Sequence, residues 1–152
     1  MLRPEDVPEV FEIDGSWRDL YVLDSTVEDW KEMLRLVRDR RTIDYALRIE
    51  DQPAAIPEPP EPVFMSSGEV GWSLSVNIDG LILNAHFFGP ENIECDIDPR
   101  ELTVNRFYGL LDFMESLGRR LKKEVRLTPE NRAEDPIVKY DPIVDRIVKV
   151  EE

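Results

Sequence analysis

The residues of this chain that could do chemistry gather in one stretch, 73–98. It holds the only histidine and the only cysteine, His86 and Cys95, together with several serines and acids. A serine nucleophile, a histidine base and an orienting carboxylate are the parts of a catalytic triad. Ser73, His86 and Glu94 could supply these parts only if the strands that carry them lie side by side.

An Asp-Gly pair at 79–80 predicts a two-residue hairpin turn, because both positions of such turns favour these residues. Pairing the strands across this turn puts the large apolar side chains on one face and the polar ones on the other. The turn at 88–92 continues the pattern into a third strand. His86 then lies opposite Ser73 on one neighbouring strand and opposite Glu94 on the other.

Cys95 falls on the apolar face of this predicted sheet, between Ile93 and Ile97. A buried lone cysteine is usually a small and inert core residue. We therefore predict a packing role for Cys95. One cysteine also excludes an internal disulfide, which makes a reducing cytoplasm the expected location.

The polar face of the predicted sheet combines acids with isolated apolar side chains. Such a surface is typical of a protein-binding patch, in which an apolar anchor gives affinity and charge gives orientation. Histidine changes charge near neutral pH, so His86 would make the contact pH-sensitive. The residues predicted to bind a partner are Ile82, Asn84, His86, Phe88, Glu94, Asp96 and Asp98.

Catalysis on this face is disfavoured by the position of the serine. A serine in mid-strand has its backbone N–H committed to the sheet, so no oxyanion hole is evident, and the chain contains no G-x-S-x-G motif. The acids fit neither a zinc pattern nor a calcium loop, and no glycine-rich phosphate loop is present. We therefore predict no metal and no cofactor. A small hydrolase built on Ser73, His86 and Glu94 is the alternative function.

Two amphipathic helices are predicted to flank these strands. Ser25 and Glu28 form a capping box for the first helix, and the second begins at Asp98 or at Thr103. Each helix has a single apolar stripe, which indicates one buried face. The stripes are Val27, Trp30, Met33, Leu34 and Val37 in the first helix and Phe107, Leu110, Leu111, Met114, Leu117 and Leu121 in the second.

Further short strands complete the predicted fold. The Asp-Gly pair at 14–15 indicates a hairpin or a bulged strand. Residues 42–49 alternate as a half-buried strand does, and residues 124–131 indicate a short strand that runs into a turn. Consecutive strands joined by tight turns pair antiparallel, and two helices with one stripe each can cover one face of a sheet. We expect one α+β domain, residues 1–152, with a single antiparallel sheet and two amphipathic helices packed on one face.

Two proline-containing regions are harder to place in that sheet. Residues 51–62 contain five prolines and are predicted to form an internal loop. The repeated DPIV segments, at 135–138 and 141–144, indicate two short edge strands or one strand broken at Pro142.

The composition excludes several classes of partner. The chain carries 33 acidic and 19 basic residues, a net charge of −14, so nucleic acids and anionic membranes repel it. Its acidic start does not resemble a signal peptide, and no apolar run approaches the ~18 residues of a membrane span. A homo-oligomer is allowed but not indicated, because identical acidic faces repel each other.

These features favour a non-enzymatic interaction protein that binds a basic protein partner through the open acidic face of its sheet. Charge of this kind speeds encounter and selects the partner more than it raises affinity. Small size, acidity and missing catalytic motifs are the profile of inhibitory or toxin-neutralising (immunity-like) modules, an analogy of profile alone.

Overall fold

The computed structural model describes residues 2–40, 43–50, 52–56, 72–86 and 91–151. Within these ranges the chain forms three α-helices, two 3₁₀ turns and nine strands. The α-helices are α1 (Pro8–Phe11), α2 (Val27–Asp39) and α3 (Val104–Leu121), and the 3₁₀ turns are Pro4–Asp6 and Pro99–Glu101. The strands are β1 (Arg18–Val22), β2 (Ile43–Ile49), β3 (Gln52–Ala54), β4 (Trp72–Ile78), β5 (Leu81–His86), β6 (Ile93–Ile97), β7 (Val125–Pro129), β8 (Val138–Asp141) and β9 (Arg146–Lys149).

All nine strands belong to one antiparallel sheet, in the order β3-β2-β4-β5-β6-β1-β7-β8-β9. The predicted α+β fold with a single antiparallel sheet is therefore confirmed. β1 comes first in the chain but lies in the middle of the sheet, where it pairs with both β6 and β7. It joins the run of strands before α3 to the three strands that follow α3.

The hairpin at residues 79–80 has the predicted register. The pairs of β4 and β5 run from Ile78–Leu81 at the turn to Leu74–Ala85. Asp79 and Gly80 both have positive φ, +53° and +99°, as the primed hairpin turns require. The predicted pairs that involve Phe87 lie outside the described residues.

The two long helices pack their stripes on the apolar face of the sheet, with one difference from the prediction. In α2, Trp30, Met33, Leu34 and Val37 are fully buried, whereas Val27 is 39% exposed. In α3 the whole predicted stripe is buried. The helices contribute side chains to one continuous core with the strands.

The N-terminal caps differ from the prediction in α2 and decide between the two predicted caps in α3. The predicted capping box of Ser25 and Glu28 is wrong by one residue, because Thr26 and Asp29 exchange the two hydrogen bonds (3.2 and 3.0 Å). The backbone N–H of Ser25 instead donates to the carbonyl of Glu91 (2.7 Å). α3 begins after Thr103, the second of the two predicted caps.

The hairpin or bulged strand predicted around residues 14–15 is wrong, because the residues before this turn form the short helix α1. Arg18, only 3% exposed, holds this segment in place. Its guanidinium donates to the backbone carbonyls of Glu9 (3.2 Å) and Glu12 (2.6 Å). These carbonyls therefore bond to a buried side chain and not to a neighbouring strand.

The proline-containing regions differ from the prediction in detail. The predicted loop 51–62 starts with the edge strand β3, where Pro53 is tolerated because edge strands need fewer backbone donors; the other four prolines, Pro57, Pro59, Pro60 and Pro62, lie outside the described residues. The first DPIV segment leads into β8. The second forms the turn before β9 and leaves Ile143 91% exposed.

Gly118 of α3 has a packing role that its sequence position does not reveal. The ring of Tyr140, from β8, lies directly over its α-carbon, so a methyl group at residue 118 would overlap the ring. Both residues are buried, and Tyr140 is further held by a hydrogen bond from its hydroxyl to Asp145 (2.6 Å). The glycine allows α3 to approach the sheet closely.

Replacing Gly118 by alanine should therefore destabilise the fold. Helix propensity alone favours alanine by about 1 kcal/mol, but overpacking a rigid contact costs about 1–3 kcal/mol. We expect a net loss in the free energy of unfolding, measured by chemical denaturation. Asn105→Ala, at an exposed position of the same helix, is the control and should be neutral or slightly stabilising. A Gly118→Ala variant at least as stable as the wild type would contradict this packing role.

Candidate functional site

The centre of the sheet carries a group of polar side chains on the face opposite the helices. We call it the central cluster: Asp19, Tyr21, Asn84, His86, Glu94 and Asp96. Alternation along β1, β5 and β6 puts all six on one face. The register places Asp96 between Asn84 and Asp19 across the strands. Glu94 likewise lies between His86 and Tyr21.

His86 is held by Asp96. Its Nε2 lies 2.6 Å from Oδ2 of Asp96, and both side chains are partly exposed, 33% and 24%. Asn84 donates to the other carboxylate oxygen of Asp96 (3.1 Å) and accepts from the hydroxyl of Ser75 (3.3 Å). Four side chains on three strands are thus joined in one hydrogen-bonded row.

The triad predicted from sequence has the wrong carboxylate beside the histidine. Glu94 is the direct neighbour of His86 in the register, but it accepts a hydrogen bond from the hydroxyl of Tyr21 (3.4 Å). Asp96 is the diagonal neighbour, which remains within reach of a histidine side chain. Ser73 lies exposed on β4.

Tyr21 and Asp19 form the buried end of the central cluster, with 7% and 5% exposure. The single hydroxyl proton of Tyr21 is shared between Asp19 (3.1 Å) and Glu94 (3.4 Å), with Asp19 the nearer acceptor. The backbone N–H of Asn131 donates to the same oxygen of Asp19 (2.7 Å). Burial, reinforced by Asp19 and Glu94, raises the pKa of Tyr21 well above its usual range. Tyr21 therefore stays protonated and acts as a donor.

Burial also raises the pKa of Asp19, although its two hydrogen bonds act in the opposite direction. Repulsion from Asp96 and Glu130 adds to the increase. Sequence reasoning missed both Asp19 and Tyr21. Their alternation with Leu20 and Val22 was visible, but nothing local showed that β1 would pair beside β6.

The carboxylates of the central cluster differ from Glu32 and Asp29, two other carboxylates shielded from solvent, in having no arginine or lysine partner. Glu32 binds Arg35 (2.8 Å) and Arg120 (2.9 Å), and Asp29 binds Lys123 (2.5 Å). Within the described ranges, no arginine or lysine pairs with the carboxylates of the cluster, which are Asp19, Glu94 and Asp96. Three neighbouring carboxylates without an arginine or lysine between them repel one another when ionised, which lowers stability.

The remaining predicted partner-binding residues, Asp98, Ile82 and Phe88, differ in how the structure places them. Asp98 is only 8% exposed and binds Arg100 (2.7 Å), which holds the pKa of this carboxyl below its usual value. Its charge is therefore already compensated. Ile82 is half-buried on the polar face beside the cluster. Phe88 lies outside the described residues.

Cys95 lies on the opposite, apolar face, as predicted, and is fully buried. Burial raises the pKa of its thiol far above the usual range, with Asp96 and Glu94 adding to the effect. The reactive thiolate is therefore disfavoured, which fits a packing role.

Metal binding, membrane insertion and similarity to known proteins give no further indication of what the site does. The described residues contain no group of three or more histidine, cysteine, aspartate or glutamate side chains placed to hold a metal ion. None of the helices in the described part of the chain is both long enough and apolar enough to cross a membrane. Comparison of the chain with protein-family models, curated proteins and solved structures found no match.

The raised pKa of Asp19 predicts how the cluster affects stability as pH changes. The native state keeps the proton of Asp19 to a higher pH than the unfolded chain does. The free energy of unfolding therefore decreases as rising pH removes this proton. Wild type should therefore lose stability relative to Asp19→Asn as pH rises from about 4, the unfolded value, through the raised native pKa. The difference should level off above that point.

Denaturant unfolding of both proteins across this pH range measures the difference directly. Asp44→Asn, which removes an exposed acid from the same face, controls for the change in net charge. If the Asp19→Asn and Asp44→Asn differences from wild type follow the same pH profile, Asp19 is not the source of the effect.

Proposed function

We propose that this protein is a non-enzymatic interaction module that binds a basic protein through the open acidic face of its sheet. We place this binding in a reducing cytoplasm, in keeping with the single buried cysteine. The partner would bring arginine or lysine side chains to the central cluster. The immunity-like profile of the sequence is compatible with this activity.

The observation that carries the proposal is a set of three carboxylates, Asp19, Glu94 and Asp96. In the described part of the chain they have no arginine or lysine partner, and their one basic neighbour is His86 beside Asp96. Glu94 and Asp96 are partly exposed, so a cation from outside the chain can reach them. Such a cation would relieve their repulsion with the buried Asp19, a gain that no arginine or lysine within the described residues supplies. A local electrostatic conflict of this kind is typical of functional sites.

The cluster is also held in a fixed geometry before binding. Asp96 is fixed by His86 and Asn84, whereas Glu94 has only a long contact (3.4 Å) with the Tyr21 hydroxyl, which Asp19 shares. The side chains stand on the central strands of a nine-stranded sheet. Little side-chain entropy would then be lost on binding, which favours affinity.

Charge-neutral substitution of the cluster tests this proposal. Wild-type protein and a Glu94→Gln/Asp96→Asn variant serve as baits in native lysate. The retained proteins are eluted by a salt gradient and identified by mass spectrometry. We expect the wild-type bait to retain a basic protein up to moderate salt. The Kd of that protein for the variant should be at least about tenfold higher than for wild type. The reason is that charged hydrogen bonds contribute about 1.5–3 kcal/mol each.

A matched control separates the site from net charge. Glu5→Gln/Glu28→Gln removes the same charge from two exposed carboxylates, 64% and 71% accessible, away from the sheet. It should bind as wild type does. Equal loss of binding in both double variants would show a general charge effect, and capture of no specific basic protein would also contradict the proposal.

The hydrolase alternative has one observation in its favour, the contact between His86 and Asp96 (2.6 Å), which could orient a base. It is tested by assaying general ester and phosphoester substrates with wild type and His86→Ala. Hydrolysis that disappears with His86 would overturn the non-enzymatic proposal. We expect no turnover by either protein.

A further inference from the structure

Strand β9 leaves one end of the sheet open in the described part of the chain. The N–H of Val150 donates to the carbonyl of Ile137 (3.0 Å) on the β8 side. Because hydrogen-bonded and non-bonded pairs alternate in an antiparallel ladder, Val148 also bonds inward, while Ile147 and Lys149 direct their backbone groups away from the sheet. Such a row of backbone donors and acceptors can template another strand.

A groove of about 530 Å³ lies beside this edge, between β9, α3 and the N-terminal segment. Its apolar surface includes Tyr108, Leu111 and Ile147. Three carboxylates, Asp6, Asp112 and Glu115, and one cation, Arg146, also line it, so its charged residues are predominantly acidic. Asp112 is 59% exposed although it contacts Arg40, and Glu115 is 32% exposed although it binds Arg119. A carboxylate has capacity for more than one donor, so both can accept a further cation.

We propose that the occupant of this edge is a second copy of the chain, paired antiparallel with β9 about a two-fold axis at Val148. Only residues with outward backbone groups can exchange hydrogen bonds, so Ile147 of each copy pairs with Lys149 of the other. Alternation puts both of these side chains on the helix side of the sheet. Each lysine then enters the groove of the other copy.

The chemistry of the groove matches that lysine. Its aliphatic stem would cover Leu111 and Tyr108, while the ammonium reaches Asp112 and Glu115, as long cationic side chains do at amphipathic surfaces. Lysine on an edge strand usually discourages pairing with other chains. Here the second copy supplies carboxylates for it, so the charge selects self-pairing over pairing with an arbitrary strand.

Electrostatics also favours this edge over the rest of the surface for self-association. With a net charge of −14, most surfaces of two copies repel. β9 contributes two exposed cations, Arg146 and Lys149. These cations offset part of the net negative charge where two copies meet, and each Lys149 faces the carboxylates beside the other copy's groove; the interface does not use the central cluster.

Sedimentation velocity over a dilution series, at physiological ionic strength, tests the dimer. We expect wild type to associate to twice the 17.7 kDa of one chain. Lys149→Pro removes the outward N–H and should increase the dimer Kd at least about 30-fold, because two hydrogen bonds per dimer are lost. Lys149→Ala keeps the N–H and should weaken the dimer less.

Three outcomes would overturn the proposal. They are a wild-type chain that is monomeric at every concentration, a Lys149→Pro dimer as tight as wild type, and a dimer that depends on Glu94 and Asp96. The last would assign self-association to the open face. Circular dichroism checks that Lys149→Pro keeps its fold.

A cysteine crosslink tests the register without relying on proline. Val148 of the two copies would form a non-hydrogen-bonded pair with Cα atoms about 4.5 Å apart, within the range of a disulfide. Under mild oxidation with oxidised glutathione, Val148→Cys should give mainly disulfide-linked dimer. Ile143→Cys, 91% exposed in the adjacent turn, should give at least about tenfold less. Equal crosslinking at both positions would show random collision and overturn the register.

Discussion

The pairing of β1 with both β6 and β7 is the interaction on which the rest of this structure depends. All five residues of β1 are buried, and each face of the strand has a different role. Leu20 and Val22 enter the core, while Asp19 and Tyr21 complete the polar cluster on the other face. Arg18 also binds the N-terminal segment. Without β1 in this position, the strands before and after α3 would form two separate sheets.

Local sequence patterns predicted the parts of the fold that depend on near neighbours. The turn at Asp79 and Gly80 fixed the register of β4 and β5, because a shift of one residue would expose the apolar set. The position of β1 could not be predicted in this way, because its partners lie about 75 and 110 residues further along the chain. The sequence therefore predicted only part of the candidate site. His86, Glu94 and Asp96 followed from the hairpins, whereas Asp19 and Tyr21 depended on the long-range pairing of β1.

The same limit explains the error in the predicted histidine contact. Register identified Glu94 as the direct neighbour of His86, and the structure has that register. Tyr21, brought by β1, offers Glu94 a donor on its other side, and Asp96 takes the histidine. A hydrogen-bond partner depends on all the strands around it, so two strands alone cannot decide it.

The twist of the sheet decides how a dimer through β9 would present its two central clusters. Adjacent strands rotate by about 20–25°, and the carboxylates of each cluster lie on β1 and β6, roughly four strand steps from the proposed axis. Over the eight steps between the clusters, the sheet normal turns by roughly 160–200°. The two acidic faces then point in nearly opposite directions, roughly 38 Å apart at 4.8 Å per strand. Such a dimer would bind two basic partners independently, without the gain in avidity that faces on one side would give.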